Sequence, residues 1–121
     1  MSKNILVVDD DEDTLKSIKR IFEHSGYKVK TAKNGFACID KLEKGFTAIL
    51  LMDLMMPKMD GWDTIREIIK RDLQNNVEIF VITAIGSFHH EKMKGLESYI
   101  KDYIAKPFDV EKLVNRIYSI N

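Results

Sequence analysis

The run Ala48-Ile49-Leu50-Leu51-Met52-Asp53 constrains this chain more than any other stretch. Five apolar residues follow one another without polar alternation, and the segment is far too short to cross a bilayer. That is the pattern of a strand buried on both faces of a parallel sheet. It ends on a carboxylate, which is costly at the end of a buried strand unless something pairs with it. Pro57 and Asp60-Gly61 follow at once as loop punctuation, so the chain turns and leaves Asp53 facing out of the sheet. Open α/β sheets place their ligands at the carboxyl ends of central strands. Asp53 is therefore the first candidate functional residue.

The remaining segments supply the rest of such a sheet. Asn4–Val8 is a second apolar run, and it too stops on acid, at Asp9-Asp10-Asp11. From Asp11 or Asp13 the period changes, with Leu15, Ile18, Ile21 and Phe22 on one helical face and Ser25-Gly26 as the stop. Lys28–Ala32 alternates like a half-buried strand. Asn34-Gly35 reads as a strand-to-helix turn because Phe36, Ile39 and Leu42 follow at helical spacing. After Gly61, the residues Trp62, Ile65, Ile68 and Ile69 make another amphipathic helix ending near Asp72, with Trp62 expected to be partly exposed at its start. Val77–Thr83 reads as a strand, 87–98 as a helix of weaker pattern, and Tyr103–Ala105 as a short strand before Lys106-Pro107. Asp109 can cap a last helix with Val110, Leu113, Val114 and Ile117 as its buried stripe.

Five strand–helix alternations imply right-handed crossovers and a parallel sheet covered on both faces. The expectation is a single-domain, three-layer α/β/α sandwich over residues 1–121, with a five-stranded sheet in the flavodoxin-like order 2-1-3-4-5. That order puts the two most apolar strands in the middle. The 121 residues suffice for one domain and one core. A formal net charge of zero argues against a nucleic-acid surface as the main business. One cysteine, Cys38, excludes an internal disulfide and a cysteine-built zinc site, and is read as helix packing. With no signal segment and no apolar run of bilayer length, the expected setting is cytoplasmic and reducing.

In a parallel sheet the strand ends share one edge. There the chain brings Asp9 and Asp10, Asp53, Thr83 and Lys106. Three carboxylates repel one another unless cations intervene. Oxygen ligands without nearby His or Cys point to Mg²⁺, with the Lys106 ammonium as a second cation. Mg²⁺, Lys⁺, a hydroxyl and a free carboxylate together suit phosphoryl transfer, the carboxylate attacking in line. The chemistry expected is transient aspartyl-phosphate formation on Asp53.

The chain resembles, over essentially its whole length, the receiver domain of two-component response regulators, the CheY-like superfamily. The residues that carry the resemblance are Asp9-Asp10, Asp53 with Met56-Pro57-Lys58-Met59-Asp60-Gly61, Thr83-Ala84, and Lys106-Pro107-Phe108. The resemblance implies that Asp53 accepts a phosphoryl group from a histidine kinase or a histidine phosphotransfer protein. It implies that Asp10 and Asp53 bind Mg²⁺ directly, Asp9 through water, with the Met55 carbonyl as a further ligand. Thr83 and Lys106 would hold the phosphoryl oxygens. Tyr103 would be the switch aromatic that turns inward when Thr83 moves, and Lys106-Pro107 would be cis. The output would be a change in the surface formed by the 87–98 helix, the last strand and the last helix, read by an effector protein or output domain. Such a domain catalyses only its own phosphorylation and slow dephosphorylation, with no direct nucleic-acid or membrane partner. It stands alone or comes from a longer regulator. The family closes its fourth helix on Gly-Ala, and here Tyr99-Ile100 occupies that place.

Competing readings fare worse. An EF-hand starting at Asp9 would need Gly at its sixth position and Glu at its twelfth, where Thr14 and Arg20 stand. A phosphatase with an aspartyl nucleophile would need Asp-x-Asp-x-Thr after the first strand, and the Thr is absent. A stand-alone enzyme on a small phosphorylated substrate would need a pocket and a general acid, which the sequence does not display. A degenerate receiver acting only as a binding module is disfavoured by the intact set of residues. His89 and His90 are adjacent, point apart on a helix, and make a poor metal pair.

Overall fold

The structure is a computed structural model that describes residues 3–84 and 91–120. Five strands, β1 (Asn4–Val8), β2 (Lys28–Ala32), β3 (Ala48–Asp53), β4 (Val77–Ala84) and β5 (Ile100–Lys106), form one sheet in the order β2-β1-β3-β4-β5. Every neighbouring pair is parallel. Four α-helices are described: α1 (Glu12–His24), α2 (Gly35–Glu43), α3 (Gly61–Lys70) and α4 (Val110–Ile120). The expected sandwich and strand order are what the chain adopts.

Strand periodicity sorts the core into two layers. Ile5, Val7, Ile49, Leu51, Phe80, Ile82 and Ile104 face Leu15, Ile18 and Phe22 of α1 and Leu113, Val114 and Ile117 of α4. Leu6, Val8, Leu50, Met52, Ile79 and Val81 face Cys38, Ile39 and Leu42 of α2 and Trp62, Ile65 and Ile68 of α3. Every residue of β3 is buried, because it has a neighbouring strand on each side and a helical layer on each face.

Helix starts follow their caps. Asp11 caps α1 by accepting from the Asp13 N–H, and Asn34 caps α2 by accepting from the Ala37 N–H at 2.8 Å. Asp109 caps α4, its Oδ1 accepting from the N–H groups of Glu111 and Lys112. Gly26, with φ +96°, closes α1 in the left-handed region that an L side chain avoids.

Four expectations need correction. Phe36 is 64% exposed. The buried face of α2 is Gly35, Cys38, Ile39 and Leu42, and a residue two places before Cys38 points well away from it. Trp62 is only 3% exposed, because Gly61 brings the start of α3 down onto the sheet. The 87–98 helix is not present among the described residues of that stretch. Glu91–Met93 and Glu97–Tyr99 are single 3₁₀ turns, flanking Gly95 at φ +85°. Hydrogen bonds from Lys94 N–H to Glu91 O and from Leu96 N–H to Met93 O close three-residue turns there. His89, His90 and the first part of that expected helix lie outside the described residues. Finally, β5 begins at Ile100 and not at Tyr103, across a register irregularity at Ile79/Phe80 of β4.

Candidate functional site

The sheet registers decide what meets what. Val8 pairs with Met52, so Asp9 and Asp53 follow on adjacent strands. Asp53 pairs with Ile82, Thr83 with Ala105, and Ala84 with Lys106. Asp9, Asp53 and Thr83 are buried, whereas Asp10 is exposed. Carboxylate oxygens of Asp9, Asp10 and Asp53 lie within 4.8 Å of one another. The Lys106 ammonium reaches in from β5, 3.4 Å from Asp53 Oδ1 and 3.8 Å from Asp9 Oδ2.

Asp53 Oδ1 accepts from the Met55 N–H at 3.2 Å, and Asp9 Oδ1 accepts from the Asp11 N–H at 2.9 Å. Burial pushes the Asp53 carboxyl up to about 6, and the neighbouring Asp9 charge adds to the rise. The Met55 N–H and Lys106 oppose it without cancelling it.

Asp9 Oδ2 is buried and accepts no hydrogen bond. A buried carboxylate oxygen with no hydrogen bond and only the Lys106 ammonium 3.8 Å away, beside two further carboxylates, is the donor set of a hard, oxygen-liganded cation. The residues present thus fit a Mg²⁺ site.

The loop after Asp53 is shaped by Gly61. A Cβ at that position would lie 2.7 Å from the Asp53 carbonyl oxygen and 2.8 Å from Leu54 Cα. Only glycine lets the first turn of α3 approach so closely, and the Gly61 N–H donates to Leu54 O at 3.1 Å. Asp60 then caps α3 in a reciprocal box with Asp63. The spacing Asp60-x-x-Asp63 carries that signal in the sequence, where Asp60 reads only as loop punctuation.

Met55 is 70% exposed at the rim. Tyr103 is half-buried, and its hydroxyl lies 3.5 Å from Met93 Sδ. The Lys106-Pro107 bond is cis. Thus Asp9, Asp10, Asp53 and Lys106 converge, Thr83 lies at the same edge, and Tyr103 stands three residues up β5. Sequence reasoning missed Arg66 and Lys92. They join α3 to the 91–94 segment across 26 to 32 residues of chain, a separation with no local signature.

A family model described as response regulator receiver domain matches residues 5–118. The chain belongs to the response regulator receiver family. Among curated relatives of this receiver is the response regulator MprA of Mycobacterium bovis, 35% identical over 120 residues. The match covers 99% of this chain and 51% of MprA, so the receiver spans about half the length of that relative. A CheY-like receiver domain protein from Methanospirillum hungatei superimposes with a TM-score of 0.90 at 41% identity, over 97% of this chain and 92% of the other. The TrrA response regulator of Thermotoga maritima, solved in complex with Mg²⁺ and BeF, has a TM-score of 0.78 at 25% identity, over the full length of both chains.

Proposed function

We propose that the chain, as one receiver domain over residues 1–121, accepts a phosphoryl group on Asp53 from a phosphohistidine donor in a Mg²⁺-dependent reaction. The donor would be a histidine kinase or a histidine phosphotransfer protein. The observation that carries this reading is the buried Asp53 carboxylate beside Asp9 at the strand ends, with the Lys106 ammonium within 3.4 Å of Asp53 and 3.8 Å of Asp9.

Asp53 attacks the phosphorus, an O–P bond forms, and the P–N bond to the donor imidazole breaks. The imidazole keeps the electron pair and takes a proton from solvent. Lys106, already 3.4 Å from Asp53, follows the charge on the transferred group, and the Thr83 hydroxyl is offered from the neighbouring strand end. Mg²⁺ at Asp9, Asp10, Asp53 and the Met55 carbonyl would supply charge neutralisation of the phosphoryl oxygens. The Mg²⁺–BeF complex of TrrA supports the same ligand chemistry here.

On this reading the domain is a switch and not an enzyme acting on a separate substrate. Tyr103 and Thr83 transmit the change toward β5 and α4, for an effector or output domain. No described helix is long and apolar enough to cross a membrane. A cytoplasmic setting follows from the proposed donor.

Acetyl phosphate with Mg²⁺ provides the test. The wild type should acquire an alkali-labile, acid-stabilised acyl phosphate, visible as a mass increment, and Asp53→Asn should acquire none. Labelling retained in the Asn variant would overturn the assignment.

A further inference from the structure

The stretch 91–97 is gripped from two sides. On one side Arg66 of α3 donates from Nη2 to the carbonyl oxygens of Lys92 at 2.6 Å and Lys94 at 3.1 Å. The Lys92 ammonium returns the contact, 2.8 Å from Asp60 Oδ2 and 3.4 Å from Asp63 Oδ1. These are the two residues of the α3 capping box, so the grip lands on the turn that leads back to Asp53. On the other side the Met93 thioether meets the Tyr103 hydroxyl at 3.5 Å. Met93 and Tyr103 both pack on the core cluster that contains Leu96.

Met93 touches the Tyr103 hydroxyl and packs on the same cluster, so a ring turning further into that cluster has to displace the thioether or move past it. Met93 lies between the two residues whose carbonyls Arg66 holds. We propose that Arg66, assisted by Lys92, is a positioning residue for the switch: by fixing 91–94 against α3 it holds Met93 under Tyr103 and opposes the inward turn of the ring. This builds on Asp53 as phosphoryl acceptor and Tyr103 as the responding aromatic. A contact made in one of two states and lost in the other shifts their balance by its own free energy. Arg66 and Lys92 are surface groups, so each contributes modestly, enough to set the balance and too little to lock it.

Titration with beryllium fluoride at saturating Mg²⁺, read by calorimetry, tests the grip. Arg66→Ala should bind the phosphoryl analogue roughly two- to fivefold more tightly than wild type, the scale of an exposed charged contact. Lys92→Gln should shift affinity the same way by less, and the double variant should gain less than the sum of the two. Arg66→Lys, which keeps a cationic donor but not the length and planar head that bring Nη2 to both carbonyls, should restore part of the wild-type value. In the unmodified Arg66→Ala protein the Tyr103 ring resonances should move toward those of the fluoride complex. Affinity unchanged or weakened in Arg66→Ala, whatever happens to its melting temperature, overturns the grip alone. Failure of the wild type to bind the analogue overturns the phosphoryl-acceptor reading, and the grip with it.

Discussion

Asp53 sits in the folded domain as an acid that resists ionisation, and that has a sign for stability. Its pKa is raised from 3.8 to about 6, first by burial and then by Asp9. Protonation therefore favours the metal-free fold. That contribution is fully present below the unfolded value near 4 and is lost as pH rises through about 6. Asp53→Asn removes the penalty, so at pH 7 without divalent ions it should stabilise the domain by about 1–2 kcal/mol. The advantage should shrink as pH falls from 7 to 4.5, and urea unfolding at the two ends of that range measures it. Met55 offers a second test at the same scale. Its side chain is 70% exposed, so it does not shield the site by bulk. What it lacks is any group to orient a water for in-line attack on an acyl phosphate. Met55→Asn should shorten the lifetime of the phosphorylated domain severalfold, followed by loss of the mass increment.

Among the elements, the join between β3 and α3 is the least forgiving. A methyl group at Gly61 meets backbone on the β3 side, which cannot step aside as a flexible side chain can. Gly61→Ala should cost roughly 1–3 kcal/mol in urea unfolding, the usual range for overpacking. It should also lower the rate of acetyl phosphate labelling, because relief of the clash moves the Asp53 carbonyl. A variant that loses stability but labels at the wild-type rate would show that the loop tolerates the shift. The elements differ in how much of them could be read from sequence, and the reason is period. β1 and β3 fall where their apolar runs place them, β2 where its alternation does, and α1 and α4 where stripe and cap agree. Within the described part of the expected 87–98 helix, Gly95 at φ +85° interrupts the α-helical path and the chain closes 3₁₀ turns on either side of it. Phe36 misleads because hydrophobic identity alone does not give its angle around α2. The candidate site was legible as strand ends. Its neighbours Arg66 and Lys92 were not, since tertiary packing alone brings α3 to the 91–94 segment.

At the scale of the molecule the carboxylate cluster would couple folding to the binding of a cation. A cation that binds Asp9, Asp10 and Asp53 together has no comparable site in the unfolded chain. Mg²⁺ should raise the melting temperature of the wild type, with a stabilisation of about 1.4 kcal/mol at tenfold excess over its Kd. The shift should vanish in the Asp10→Ala, Asp53→Ala double variant, as read by differential scanning calorimetry. Parallel pairing has one more outcome, which concerns the order of assembly. β1 and β3 are hydrogen-bonded neighbours, so Asp9 and Asp53 come together as soon as those two strands pair. Lys106 arrives only when β5, the edge strand nearest the end of the chain, docks on β4. Without that docking the paired β1 and β3 would hold two carboxylates side by side and no Lys106 ammonium beside them. Coulomb attraction between Lys106 and the two buried acids thus adds to the pairing of β5 on β4.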